Sequence, residues 1–301
     1  MKKAILLITI LIFAPLVATR SAPDQPPAQE TAVKDHGYVK PPAEQPSPPG
    51  VIRKKISRPD EKAPALSRKT ALLAAYGTRV PTQWGESVTG IKTQLDTSEP
   101  VIALTFDACG GPRGSRYDAA LIDYLRKEKI PATLFISGAW ADANPDVFKK
   151  LASDPLFEIE NHGLNHKPCS VNGKSAHGIK GTKSVSELVD EIEKSGMKIE
   201  SATGGKPRFY RSGTCYCDEV AVKIAGELGY EVVNFNVLGD AGATRPKEKI
   251  REALLKADAG AIVILHMNQP RSQTAAGVKE TVPLLKQKGF RFVKLSEYPL
   301  K

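Results

Sequence analysis

"IALTFDACGG", Ile102 to Gly111, runs from apolar side chains into an aspartate, a small residue, a cysteine and two glycines. Apolar and β-branched residues ahead of a glycine turn read as a buried strand. Asp107 falls at the exit of that strand, where a carboxylate could serve as a base or a ligand. It could also cap the helix that starts near Tyr117 or satisfy turn amides, although Gly110 and Gly111 intervene and weaken the capping account.

Downstream, β-rich runs recur at "VIALTFDA", "ATLFIS", "FEIENH", "PRFYRS", "EVVNFNV", "AIVILHMN" and "FRFVKLSEY". Helical patterns separate them over 117–129, 145–153, 185–198, 218–228, 247–257 and 275–288. Strands alternating with helices point to a parallel α/β architecture. Seven strands with polar residues at their ends favour closure into a barrel, whose chemistry sits at the C-terminal ends of the strands. An open doubly wound sheet has the same periodicity.

Those ends carry the candidate site. The first gives Asp107, the third His162 and His166, the fourth Arg211, the fifth leads to Asp240, and the sixth ends in His266. Three of only five histidines fall in this set. The i, i+4 spacing of His162 and His166 would put both imidazoles on one side of a helical turn, able to bind one ion. The same spacing is common in surface pairs. Arg211 could pair with Asp107 and keep it ionised, or form a purely structural ion pair. His266 suits proton donation to a leaving group near neutral pH, the alternative being a satisfied core histidine. Asp240 could hold the tautomer of His266 or be an ordinary loop residue.

The 301 residues leave room for one or two domains. Met1-Lys2-Lys3 precedes an apolar run, Ala4 to Ala18, broken by Thr9 and Pro15. This reads as a signal peptide over residues 1–22 and an exported protein. The run is short for a membrane-spanning helix, so no stable insertion is expected; an uncleaved anchor is the alternative. Ten prolines lie between Ser21 and Ser67, which makes 23–69 a Pro-rich disordered linker that holds the folded part off a surface. Residues 70–301 form the folded domain. Its first part, to about Pro100, is an N-terminal extension in which Tyr76 and Trp84 pack on the domain, with glycan stacking the alternative for Trp84. The net charge of +10 is spread over scattered lysines without a dense basic block and interleaved aromatics, so no nucleic-acid partner is expected.

Four cysteines, Cys109, Cys169, Cys215 and Cys217, in an exported chain point to disulfides. Cys215 and Cys217 are badly spaced to bridge each other. One of them with Cys109 or Cys169 is the expected pairing, and thiolate ligation is the alternative.

Four ordered motifs between about Val101 and Tyr298 resemble the polysaccharide deacetylases, the NodB-homology or carbohydrate esterase family 4 domain. "LTFDA" resembles the family's Thr-Phe-Asp-Asp strand end, and "EIENHGLNH" its histidine metal motif. "FYRSG" is similar to its Arg-x-Pro segment, and "IVILH" to its terminal Leu-x-Leu-His. The resemblance implies a distorted (β/α)7 barrel and a metal-dependent hydrolase that removes acetyl groups from an N-acetylated polysaccharide, peptidoglycan or another cell-envelope glycan. It implies a divalent metal, zinc, held by His162 and His166. Asp107 is implied as catalytic base, Arg211 as its orienting partner and His266 as acid.

Ala108 departs from the pattern, because the family's second aspartate, its third protein ligand, is absent. Asp107 could be recruited as a ligand beside the histidines. Cys109 or His177 could substitute. Or the metal is lost, leaving a glycan-binding pseudoenzyme. An O-acetyl esterase is a further alternative. Ser212 and Gly213 replace the proline-rich segment, and "NVLGDAGAT" lacks the family's tryptophan, so the groove walls differ.

Overall fold

The computed structural model describes residues 65–301. The expected signal segment 1–22 and most of the linker 23–69 lie outside the described residues. A helix, α1 (Ala65–Tyr76), begins before the expected domain boundary at 70 and packs Leu72 onto the domain.

From there, strands and helices alternate. In chain order they are β1 (Val101–Ala108), α2 (Ala119–Lys127), β2 (Ala132–Ile136), α3 (Gly138–Ala143), α4 (Pro145–Ala152), β3 (Phe157–Asn161) and the hairpin β4 (Ser175–Ala176) and β5 (Ile179–Lys180). Then come α5 (Val185–Thr203), β6 (Phe209–Tyr210), α6 (Glu219–Glu227), β7 (Glu231–Val232), β8 (Val237–Leu238), α7 (Lys247–Leu255), β9 (Ala261–His266), α8 (Thr274–Gln287) and β10 (Arg291–Val293). Local chemistry sets several starts. Asp118, Ser137, Ser184 and Asp218 accept a backbone N–H as side-chain N-caps of α2, α3, α5 and α6. Gly204, with φ +79°, ends α5.

The sheet runs β7-β6-β3-β2-β1-β9-β8, every pair parallel, and β10 lies along the first half of β1. All eight residues of β1 are buried, as a strand covered on both faces requires. Its side chains alternate between two environments. Ile102, Leu104, Phe106 and Ala108 belong to the apolar layer beneath the helices, with Leu121, Leu125, Leu134 and Val263. Val101 and Ala103 point the other way, into a cluster with Phe135, Phe209, Ile262 and Val293. Thr105 and Asp107 continue that inner face, which therefore turns polar toward the C-terminal ends.

The expected fifth strand, "EVVNFNV", is two short strands at opposite edges of the sheet. Residues 233–236 connect them, and so few residues hold the two edges within about 18 Å. The N-terminal extension fills the gap: Lys92 N–H donates to Val232 O (2.8 Å), and Asn234 N–H donates to Lys92 O (2.8 Å). This is the distorted (β/α)7 barrel, with the extension as its closing piece. Among the described residues no helix is long and apolar enough to cross a membrane.

Candidate active site

Each of the six residues read from strand ends lies at one mouth of the barrel. Asp107 and His266 sit opposite each other in register at the ends of β1 and β9. They face a cleft of about 820 Å³ lined also by Cys109, His166, His177 and Glu86. His162, Arg211 and Asp240 are buried behind them.

Arg211 is fully buried and donates from all three of its nitrogens. Nη1 donates to Asp107 Oδ1 and to Thr105 Oγ1, both at 2.8 Å. Nε and Nη2 donate to the carbonyls of Val233 (3.1 Å) and Asn234 (3.0 Å). The guanidinium lies 4.1 Å over the ring of Phe135. Burial alone would raise the pKa of Asp107. The charges of Arg211, His162 and His266 outweigh it and hold the carboxyl below its ordinary value. One oxygen is thus tied to Arg211, while Oδ2 lies 3.6 Å from His162 Nε2.

Asp240 does the same service for His266. Its Oδ1 accepts from His266 Nδ1 at 2.8 Å, and its Oδ2 accepts the backbone N–H of His266 and the hydroxyl of Thr274, each at 2.8 Å. Nε2 is left toward the cleft. Burial disfavours the imidazolium, but the Asp240 charge and hydrogen bond prevail and raise the pKa of His266 well above the usual value.

His162 and His166 are not on a helical turn. The segment after β3 is a loop in which Gly163 and His166 have φ of +78° and +58°, and left-handed residues cannot continue a helix. The two rings still meet, with centroids 4.9 Å apart. His162 Nδ1 sits 2.9 Å from the carbonyl of Arg211, an acceptor, so Nδ1 bears a proton and Nε2 is the nitrogen that could serve a metal. That nitrogen lies 3.9 Å from Cys109 Sγ. The ligand atoms of Cys109, His162 and His166 all lie within 4.8 Å of one another. Burial raises the thiol of Cys109, but the three neighbouring histidines bring it well below its ordinary value.

His177 lines the cleft at the tip of the β4–β5 hairpin, against the ring of Tyr216. It stands outside the Cys109–His162–His166 group. Trp84 is half-buried, its ring 5.8 Å from Tyr216, and Tyr76 packs beside the cluster of α5 and α6. None of the four cysteines is in a disulfide. Cys169 and Cys217 lie side by side in a parallel bridge, both fully buried.

Two supporting residues escape a reading of strand ends. Glu191 is buried on α5, and its Oε1 accepts the backbone N–H of Asn165 (2.8 Å) and of Lys167 (3.1 Å), the two neighbours of His166. Its signal is a charged residue on the apolar stripe of a helix, between Leu188 and Ile192. Gly213 is the other. A Cβ there would sit 2.2 Å from His166 C and 2.3 Å from its O, so only glycine lets the two main chains touch.

A buried carboxylate–arginine pair, a histidine–aspartate pair and a ligand cluster around one barrel mouth are the parts of a hydrolase. The sequence pattern of the polysaccharide deacetylases matches residues 94–233. A peptidoglycan-N-acetylglucosamine deacetylase from Bacillus cereus is 31% identical over 208 residues, 68% of this chain and 90% of the relative. The chain belongs to the polysaccharide deacetylase family, carbohydrate esterase family 4. The fold is shared with PdaA of Bacillus subtilis, a family 4 carbohydrate esterase (TM-score 0.58, 22% identity, covering 76% of this chain and 87% of that one). It is shared equally with a pseudoenzyme of the same family from Bacillus anthracis (TM-score 0.58, 23% identity, covering 71% and 70%).

Proposed function

We propose that this protein is an exported, divalent-metal-dependent hydrolase that removes acetyl groups from an N-acetylated cell-envelope glycan, with peptidoglycan the foremost substrate. One observation carries the reading: Asp107 on Arg211 and His266 on Asp240 flank the His162–His166 cluster in a single cleft. The donor set of two imidazoles and a thiol suits zinc, and the free Nε2 of His162 is the correct tautomer for a ligand. A bound ion supplies an acidified water and polarises the acetamide carbonyl.

The rest belongs to the side chains. Asp107, held ionised by Arg211, accepts the proton of water as its oxygen bonds to the acetyl carbon. His266, charged and oriented by Asp240, gives its Nε2 proton to the sugar nitrogen as the C–N bond breaks. Acetate and a free amino sugar leave, and proton exchange between the two residues and water restores both.

Acetate release and free amines on peptidoglycan and chitooligosaccharides test the reading. The chain should be active with zinc, and Asp107→Asn and His266→Gln should each be inactive. Ala108 favours a second reading, a glycan-binding pseudoenzyme, and binding without acetate release by the zinc-supplemented chain would establish it. Acetate release from O-acetylated glycan alone would assign an esterase. Residues 1–22 would act as the export signal, which fractionation with N-terminal sequencing checks, and Cys169–Cys217 would be the disulfide formed after export.

A further inference from the structure

We propose that Cys109 is the third protein ligand of the metal site, its thiolate taking the place of the carboxylate that Ala108 lacks. This rests on the reading that a divalent ion binds His162 and His166. The Cys109–His162–His166 group contains no carboxylate, and its three ligand atoms converge. In a tetrahedral zinc site, Zn–S of about 2.3 Å and Zn–N of about 2.05 Å put sulfur and nitrogen about 3.6 Å apart. Cys109 Sγ and His162 Nε2 stand at 3.9 Å.

The competing carboxylate is Asp107, which gives Oδ1 to Arg211 and keeps Oδ2 3.6 Å from His162 Nε2. In the proposed reaction that oxygen is the base, and the group whose ligand atoms converge on both histidines contains Cys109 and not Asp107. Ala108 is packed in the apolar layer under the helices. Alternation along β1 brings position 109 back to the face of Asp107. The main chain there is held in place: Ser137 Oγ donates to Cys109 O at 2.8 Å. Gly110, with φ +79°, packs so closely on α3 that a Cβ would lie 2.7 Å from Trp140 N. Cys109 is in no disulfide, although Cys215 lines the same cleft. A thiolate ligand changes the ion the site selects. Zinc and other soft or borderline ions are favoured over magnesium and calcium, which prefer all-oxygen sites.

The full chain, loaded with cobalt(II) and separately titrated with zinc against a chelator, tests this beside Cys109→Ser and His162→Ala. We expect one ion per chain and a near-ultraviolet thiolate-to-cobalt charge-transfer band that Cys109→Ser abolishes. Zinc affinity should fall in that variant by at least about a hundredfold, the upper end of what losing even an outer-shell partner costs. Zinc should also protect Cys109 from alkylation. Stoichiometric cobalt without the band, and unchanged zinc affinity in Cys109→Ser, would overturn the assignment while leaving a metal on the histidines. No ion bound to the folded wild-type chain would remove the metal reading itself. An acetyl adduct on Cys109 after incubation with an aryl acetate would make the thiol a nucleophile instead, with Asp240–His266 as its base.

Discussion

A single methyl group at Gly213 should disable the site from behind. In Gly213→Ala the new Cβ meets His166 C at 2.2 Å, O at 2.3 Å and Cα at 2.5 Å. Comfortable carbon contacts lie at about 3.5–4.0 Å, so the main chains must part by about 1 Å. Neither side yields easily. His166 is already in the left-handed region at φ +58°, and Glu191 ties down the amides on both sides of it. Overpacking of this kind costs about 1–3 kcal/mol. For a domain of this size that is roughly a 2–12 °C fall in Tm. The displaced imidazole matters more, since a misplacement of about 1 Å can cost on the order of a hundredfold in rate. Calorimetry with and without zinc, zinc affinity by chelator competition, and acetate release read the three effects separately. Thr214→Ala, one residue along the same cleft, is the control and should stay within about 0.5 kcal/mol. If Gly213→Ala kept its Tm within about 1 °C and its zinc affinity within about twofold, the contact would not be what positions His166.

Three further outcomes are expected. Asp240→Asn removes the charge that favours the His266 imidazolium and turns one of two accepting oxygens into a donor, and should lower kcat by about 10²–10⁴ with zinc content unchanged; equal loss of bound zinc would show a structural role instead. Glu219 fastens the N-terminal extension by accepting from Thr82 N, Thr82 Oγ1 and Gln83 N, and although burial pushes its pKa up, these bonds bring it down to about 2. A depressed carboxylate contributes stability above its unfolded value, and that contribution is lost as pH falls from about 4.5 toward 2. Glu219→Gln should therefore lower stability by about 1 kcal/mol at pH 7, after screening near the surface, and by nothing near pH 2, which denaturant titrations at both pH values will show. Oxidised full-length chain digested without reductant should yield a Cys169–Cys217 peptide pair and alkylatable Cys109, and reduction should cost stability of about 4 kcal/mol; a Cys109-containing disulfide would contradict the arrangement of the four thiols.

Much of this architecture is legible in hydrophobic periodicity, because long buried elements leave a repeating pattern. The apolar runs of β1, β2, β3 and β9 and five of the six expected helices are read to within two residues of their ends, while α5 runs five residues past its expected end. Reading fails where single contacts replace periodicity. Asn234 and Asn236 break the run "EVVNFNV": the first donates through Nδ2 to Glu86 O and Cys215 O, and the second accepts through Oδ1 from Ile262 N. Those bonds carry the chain across the barrel gap and split one expected strand into two. The rings of the i, i+4 histidines lie 4.9 Å apart, but on a left-handed loop and not a helical turn, since Glu191 and Gly213 shape that loop from distant parts of the sequence. Glu191 shows in the sequence only as a charge on the apolar stripe of α5, and no local pattern announces Gly213.

Ala108 and Cys109 make sense as one exchange when the strand's alternation is followed to its end. The inner face of β1 reads Val101, Ala103, Thr105, Asp107: apolar where the barrel is plugged, then a hydroxyl and a carboxylate held by Arg211. The outer face reads Ile102, Leu104, Phe106, Ala108 and is dry throughout. A carboxylate in that layer would be desolvated among Leu121, Ile136 and Trp140, a costly place for a charge without an ion beside it. A cysteine one position later stands on the inner face. Its thiolate becomes a strong ligand when an ion binds. A chain that had abandoned metal altogether would have no need for a thiol aimed at two histidines, nor for a glutamate and a glycine that fix the loop bearing the second of them. Zinc retained in wild type and lost in Cys109→Ser would mean the missing aspartate was replaced by its neighbour.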